Sequence, residues 1–432
     1  NQKLDWRVLC KPEDGIVKTR IIIGDDVYAI SSKNAKKYKL LHTTLLNPDW
    51  NKADVVVAEK NDKTLEGITR CKDFLILTYS DGINHTLLKY DLKNKAISEV
   101  KLPISGVTDV SCPDNSSNQC IVSIASWTRP STEYMFDARS NSFSPSLFRN
   151  APVVPKEYED LTVEEVNVKG HDGEIIPLSI IYKKGLKKNG QNVCLMEGYG
   201  AYGISFTPNF NKKQLPLAAY YNVIIAVAHI RGGGEKGEDW HKAGMKTNKP
   251  NSWKDLNSCA EYLIKNSFTS ADKLASTGSS AGGLMLSRAI TERPDLYGAA
   301  ICNVAVPNIL RIESMQSGGA NAPEFGSVKD SAEFKGIVEM DALYHVMKGV
   351  SYPAVICVGG WNDPRVPIWQ GGKFAAALQN ATASSKPVLM KVNYDNGHST
   401  EDKDVTFRNF ADQFAFAMWQ CGHPDFKMKK AP

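Results

Sequence analysis

The chain has nothing close to the roughly 18 consecutive apolar residues that a membrane-spanning helix requires. Its longest such run, YNVIIAVAHI (221–230), suits a buried strand. Basic runs are missing too. The net charge of +5 is dispersed, no five consecutive residues are basic, and KMKK (427–430) is only a short basic tail. These absences argue against membrane and nucleic-acid partners. No two cysteines have the CxxC spacing, and the total of nine is odd. Several lie inside apolar runs (NVCLM, AVICVGG), so reduced, buried thiols in a reducing, cytoplasmic compartment are expected. Three Asn-x-Ser/Thr sequons, at Asn84, Asn115 and Asn380, are about what chance gives and do not argue for secretion. The chain opens at Asn1 without a signal-like stretch. An upstream segment is expected, and a leader removed from it would make the protein secreted instead.

What is present divides into two kinds of pattern. With 42% hydrophobic and 23% charged residues, the chain can bury a sizeable core, and its length allows two domains. Residues 1–155 read as β-branched and aromatic runs cut by Asp-Gly, Asn and Ser turns. Two of these runs align with each other, placing Tyr90-Asp91 against Phe136-Asp137 at an offset of 46 residues, with a weaker copy near 27–45. That spacing is close to one four-stranded propeller blade, about 40–50 residues. About three blades fit, fewer than the roughly four or more needed to close a propeller. The expectation is a partial β-propeller lacking its N-terminal blades, the alternative being a small irregular all-β domain. From 156 to 432, after a linker rich in proline and charge (149–161), apolar strands alternate with amphipathic helices. Repeated units of this kind predict a doubly wound, mostly parallel sheet covered on both faces.

The second half contains TGSSAGG (277–283) at a strand end, opening the apolar helical stretch AGGLMLSRAI. A nucleophilic serine on a strained strand-to-helix turn needs small residues two places before and after it. Ser280 has Gly278 and Gly282 there; Ser279 has Thr277 and Ala281 and fails. By chance alone the pattern would occur in roughly one such chain in six, so its position carries the argument. A tight turn that happens to hold serines is the plain alternative. A hydrolase then requires an acid and a histidine in the order Ser, Asp/Glu, His. Asp363 follows the apolar strand in YPAVICVGGWNDPRVP, although an Asp-Pro turn would look the same. Of eight histidines only His398, in NGHS, sits on the loop after the last strand. Asp395 shares that loop, and Asp363 is preferred over it.

EGYGAYGIS, AHIRGGGEKGEDWHKAG, GSSAGG, NDPRVP and NGHS, in this order, resemble the prolyl oligopeptidase family of serine peptidases over about residues 160–420. The resemblance implies an α/β-hydrolase catalytic domain with a β-propeller. It also implies a triad of Ser280, Asp363 and His398, and an oxyanion hole made by the Ala281 N–H and the Tyr199 hydroxyl. A neutral tyrosine O–H suits that task because it donates without adding charge; otherwise Tyr199 is a packed loop aromatic. Arg365 corresponds to an arginine that binds a substrate carbonyl, or else it is a surface ion-pair residue. Tyr202, Phe325 and Val366 correspond to the pocket for the P1 residue. RGGGE (231–235) reads mainly as a structural turn.

One position departs from the family. Proline-selective members carry a tryptophan in that pocket and basic-selective relatives a glutamate; here the position, in GGANAPEFGS, is Asn321. Glu324 nearby is given no role. The sequence therefore points to a serine endopeptidase or oligopeptidase acting on short peptides, leaning to cleavage after proline and needing no metal or cofactor. A basic or small P1 preference is an alternative. An esterase on the same fold lacks the HGGG-type motif. A dipeptidyl-peptidase variant would need an acidic pair, and Glu164-Glu165 reads as a solvated strand edge instead. A silent binding module is the remaining rival. The oligomeric state is left open.

Overall fold

The computed structural model of the chain describes residues 6–316 and 318–427. The end of the basic tail, 428–430, lies outside them. Two compact units form: 1–154 with 207–210 and 235–239, and the rest.

Among the described residues, the first unit is built from twelve strands in three sheets. The first sheet holds β1 (Ile16–Ile23), β2 (Asp26–Ser31), β3 (Lys39–Thr44) and β4 (Asp54–Val57). The second holds β5 (Thr64–Arg70), β6 (Phe74–Ser80), β7 (His85–Asp91) and β8 (Ile97–Val100). The third holds β9 (Val107–Ser111), β10 (Gln119–Ala125), β11 (Thr132–Asp137) and β12 (Ser142–Pro145). Each sheet is an antiparallel meander of four strands paired in chain order, as propeller blades are. The middle sheet shows why the sequence is so apolar there. β6, FLILTYS, is buried along its whole length. Strand side chains alternate between faces. Leu75, Leu77 and Tyr79 therefore join Tyr28, Ile30 and Leu40 of the first sheet in one core. Phe74 and Ile76 join Cys120, Val122 and Phe136 of the third sheet in another.

The repeat of 46 residues has a physical basis at its ends. Asp91 closes β7 and accepts the N–H groups of Lys93 and Asn94; Asp137 closes β11 and accepts those of Arg139 and Ser140. Each carboxylate turns the chain toward the next strand.

The expectation that all cysteines are reduced needs a correction. Cys112 and Cys120 form a disulfide, their Cα atoms 4.4 Å apart. The register of β9 and β10 pairs Ser111 with Ile121, so the next residues out, Cys112 and Cys120, face each other across the hairpin. The intervening PDNSSNQ turn masks this neighbourhood in the sequence. The other seven are unpaired, and all but Cys10 are buried.

The second unit is an eight-stranded sheet in the order β13-β14-β16-β15-β17-β18-β19-β20. Its strands are β13 (Leu161–Lys169), β14 (Ile175–Lys183), β15 (Cys194–Glu197), β16 (Ile224–Ala228), β17 (Leu274–Ser279), β18 (Ala299–Asn303), β19 (Ala354–Gly360) and β20 (Val388–Asn393). β14 pairs antiparallel with β13 and β16; every other pairing is parallel. β16 and β19 are buried end to end, as strands covered by helices on both faces must be. Helices Pro250–Lys265, Ala281–Glu292 and Trp369–Ala381 supply that cover. Because β16 and β17 lie on opposite sides of β15, the winding reverses there, opening a crevice at the carboxyl ends of the strands. Tyr199 and Ser280 follow the two strands at that reversal, and Asp363 and His398 follow β19 and β20.

Among the described residues, no helix is long and apolar enough to cross a membrane.

Candidate active site

Ser280 occupies a conformation that L-residues rarely adopt, φ 55° and ψ −119°, as the residue preceding helix Ala281–Glu292. Its N–H is anchored on the Asn303 carbonyl of the neighbouring strand at 3.0 Å. The flanking glycines make the turn sterically possible. A Cβ on Gly278 would lie 2.2 Å from the Gly282 carbonyl oxygen, and one on Gly282 would lie 2.9 Å from that of Gly198 and 3.2 Å from the Tyr199 ring. The elbow is thus packed directly against the loop that carries Tyr199. Ala281 is buried at the first helical position, where N–H groups have no partner within the helix. Ser279 is engaged with the neighbouring strand. Its hydroxyl accepts from the Asn303 amide at 3.2 Å, and it lines a cavity of about 300 Å³ beside His398, with Asn396, Ser399 and Gln413.

Asp363 and His398 are brought together by their loops. The Asn362 N–H donates to the Asn396 carbonyl, the Asn362 amide to that of Tyr394, and the Trp361 N–H to that of Asn393. His398 Nδ1 lies 2.7 Å from Asp363 Oδ2. The other carboxylate oxygen accepts the N–H groups of Arg365 and Val366, each at 2.9 Å. Burial alone would raise the Asp363 carboxyl. The His398 bond and the two N–H groups outweigh it and hold the group below its ordinary range. Among the described residues, Asp395 is not a hydrogen-bond partner of His398. Among the described residues no hydrogen bond joins Ser280 to His398, as is common before substrate draws the groups into line.

The aromatic residues form one wall. Tyr199 and Tyr202 lie 6.5 Å apart between ring centres, Tyr199 stacks on Phe206 at 6.0 Å, and Tyr202 meets Phe325 edge-on at 5.6 Å. The Tyr202 hydroxyl donates to Asn321 Oδ1 at 2.7 Å, so Asn321 lies against the same wall. Val366 and Phe325 are buried in the shared core. Burial pushes the Tyr199 hydroxyl up, with the Arg365 charge opposing and that of Glu324 adding, so it stays protonated and able to donate. Arg365 is exposed, and among the described residues its guanidinium has no ion-pair partner. Its surroundings therefore lack the partner that the surface ion-pair reading requires.

Two acidic features resolve differently from each other. Glu164 on β13 accepts from Tyr182 and Lys188 at 2.9 and 2.8 Å, at the edge of the sheet and away from this wall. Glu324 is 4% exposed and turns inward to His241 Nε2 at 2.7 Å and Lys249 Nζ at 3.3 Å. Sequence reasoning missed Lys249 and His241. A lysine in KTNKPN carries no local signal of burial, yet this one is fully buried. RGGGE, read as a turn, packs against the Tyr199 loop. Gly232 has φ +97°, and a Cβ there would lie 2.1 Å from the Gly200 carbonyl oxygen.

Known proteins resemble this chain along most of its length. The model of the prolyl oligopeptidase family matches residues 208–423, and that of the prolyl oligopeptidase N-terminal β-propeller domain matches 1–149. A prolyl endopeptidase of Elizabethkingia miricola is 31% identical over 94% of this chain and 57% of its own length. A chain from a structural study of two prolyl endopeptidases overlays with a TM-score of 0.88 at 27% identity, over 94% of this chain and 59% of its own. Prolyl oligopeptidase B from Galerina marginata, bound to a 35-residue hydrolysis and macrocyclization substrate, gives a TM-score of 0.87 at 25% identity, over 94% of this chain and 57% of its own. The chain therefore spans less than two thirds of the length of the relatives it matches.

Proposed function

Because the chain belongs to the prolyl oligopeptidase family, we propose that it is the catalytic part of a serine peptidase that cleaves short peptides, after proline by preference. The observation that carries this reading is that the strained Ser280 elbow and the hydrogen-bonded Asp363–His398 pair all follow the carboxyl ends of parallel strands of one sheet, β17, β19 and β20.

In the proposed reaction, substrate binding closes the gap between Ser280 Oγ and His398 Nε2. His398 takes the hydroxyl proton as Oγ attacks the scissile carbonyl carbon. Asp363 fixes the tautomer with the proton on Nδ1 and stabilises the imidazolium. The new oxyanion is met by the Ala281 N–H and the Tyr199 hydroxyl. His398 then gives its proton to the leaving amine, the C–N bond breaks, and water repeats the sequence on the acyl-enzyme. Arg365 is free to hold a substrate carbonyl. Tyr202 offers an exposed aromatic face to a proline ring, backed edge-on by the buried Phe325. Asn321 supplies an amide where proline-selective relatives have tryptophan, so the preference for proline rests on those two aromatics. The buried unpaired cysteines favour a reducing, cytoplasmic setting; the Cys112–Cys120 bond is the feature such a setting would open.

Two measurements test the reading. A fluorophosphonate probe is expected to label the chain and the Ser279→Ala variant, and to leave Ser280→Ala unlabelled. Equal labelling of both variants sinks the nucleophile assignment. A positional-scanning peptide library is expected to show cleavage after proline, and selection of Arg or Lys at P1 would replace the specificity reading.

A further inference from the structure

The loop carrying both tyrosines is awkward to hold. Within six residues, Gly200, Tyr202 and Gly203 all have left-handed backbone, at φ 64°, 57° and 63°. For tyrosine that conformation is uncommon and costs energy unless the surroundings fix it. What fixes it is unusual for a protein interior. Lys249 Nζ, with its side chain 0% exposed, donates to the Gly200 carbonyl at 2.5 Å and to Glu324 Oε1 at 3.3 Å. The ammonium also lies 5.2 Å from the centre of the Phe325 ring. Glu324 accepts from His241 through its other oxygen and from the Tyr202 N–H. The Ser252 hydroxyl donates to the Arg231 carbonyl at 2.7 Å and lies 3.2 Å from that of Gly200. The residue before Gly200 is Tyr199, and the residues flanking Glu324 are Pro323 and Phe325. The charged cluster thus grips the backbone beside each tyrosine and the base of the aromatic wall, while reaching neither hydroxyl.

Burying an ion pair is a poor way to gain stability, because desolvation consumes most of the attraction. A buried pair is better suited to fixing one geometry. Resting on the peptidase reading above, we propose that Lys249, Glu324 and His241 form an ionic brace that holds Tyr199 over the Ser280 elbow and Tyr202 against Phe325. Lys249 and Glu324 are then positioning residues for the oxyanion hole and the P1 pocket. They act through the 198–203 loop and touch no substrate.

The test compares the unaltered chain with Lys249→Met/Glu324→Gln, which removes both buried charges at once. Removing one alone would leave its partner buried and uncompensated, a folding defect in its own right. The double variant is expected to unfold cooperatively and to keep probe labelling of Ser280. Its kcat on a peptide amide is expected to fall at least about tenfold, with the 10²–10³-fold that one oxyanion donor is worth as the ceiling. Combined with Tyr199→Phe, the losses are expected to multiply to less than their product, because both act on the same hydroxyl. Fully multiplicative losses, or an unchanged kcat in the folded double variant, overturn the proposal. Amide exchange of residues 198–206 gives a readout independent of turnover. It is expected to accelerate in the double variant, and unchanged exchange overturns the brace. Absence of labelling in the unaltered chain would sink the peptidase reading alone, with loop exchange still deciding the brace.

Discussion

Two loops meet at the centre of this site, and they are held by different physics. The Ser280 elbow is held by shape: its φ of 55° is locked by glycines pressed against carbonyl oxygens and by one N–H to the adjacent strand. The Tyr199–Tyr202 loop has comparable backbone strain but is held by charge, through a lysine and a glutamate removed from water. Contacts of the first kind have no titratable member and are indifferent to salt and pH. Those of the second kind depend on protonation. The serine turn should therefore fail only when its packing is altered, whereas the tyrosine loop can be loosened by pH alone.

The largest effect expected is on the first loop. Gly278→Ala puts a methyl group 2.2 Å from a carbonyl oxygen, so the backbone at Ser280 must move. A misplacement near 1 Å costs about 10²-fold in rate, and overpacking costs about 1–3 kcal/mol of stability. Both kcat/KM and the rate of probe labelling are expected to fall by about 10²-fold or more, with a lower Tm. Normal labelling in this variant would show that the elbow tolerates what its geometry forbids. A slightly smaller effect is expected in the second loop. Tyr199→Phe removes one hydroxyl and leaves the ring stacked on Phe206. A loss of about 10²-fold in kcat is expected, with KM and Tm nearly unchanged, because the donor matters only once the oxyanion forms. A rise in KM at constant kcat would instead make Tyr199 a binding residue.

The contrast also explains what could be read from the sequence. The elbow is local: two glycines at fixed distances from Ser280 separate it from Ser279 within seven letters. Strand and helix periodicity showed where β17, β19 and β20 end, and that was enough to single out Asp363 and His398, whose side chains meet. The blade repeat was visible because Asp91 and Asp137 each perform the same turn. The brace was not legible, because its bonds join residues 49, 75 and 83 positions apart and none of its members sits in a periodic pattern. Cys112 and Cys120 were missed for a related reason. Their meeting depends on the strand register, which a polar turn of uncertain length conceals. Asn321 shows a third kind of limit. A single letter could be placed at the pocket, but its engagement with the Tyr202 hydroxyl needed coordinates.

The smallest effect bears most directly on the difference between the loops. Burial drives the Lys249 ammonium down to about 8 from the ordinary lysine value, with the Glu324 charge opposing the fall. Glu324 itself would be raised by burial, but His241, Lys249 and the Tyr202 N–H together hold it ionised. Other charges on the elements packed here are paired among themselves, Lys246 with Glu333 and Arg231 with Asp172 and Asp255. As pH rises through about 8, Lys249 loses its proton, and its bonds to Gly200 and Glu324 lose their charge-assisted part. The brace therefore works below that pH and slackens above it. A loss of a few-fold in kcat is expected between about pH 8 and 10, below the point at which the raised Tyr199 hydroxyl would ionise. Stability should move the other way. With the folded value below the unfolded one, the unfolded chain binds the extra proton between about 8 and 10.4, so the Lys249 contribution to stability rises with pH across that window. Lys249→Met/Glu324→Gln should remove both trends, leaving kcat low but flat, without stranding one buried charge. Urea unfolding and kcat, measured on both proteins at the same pH values, would show the opposed slopes in the parent alone. Parallel slopes in the two proteins would mean that another group sets the alkaline limb, and that the second loop is held by shape as the first is.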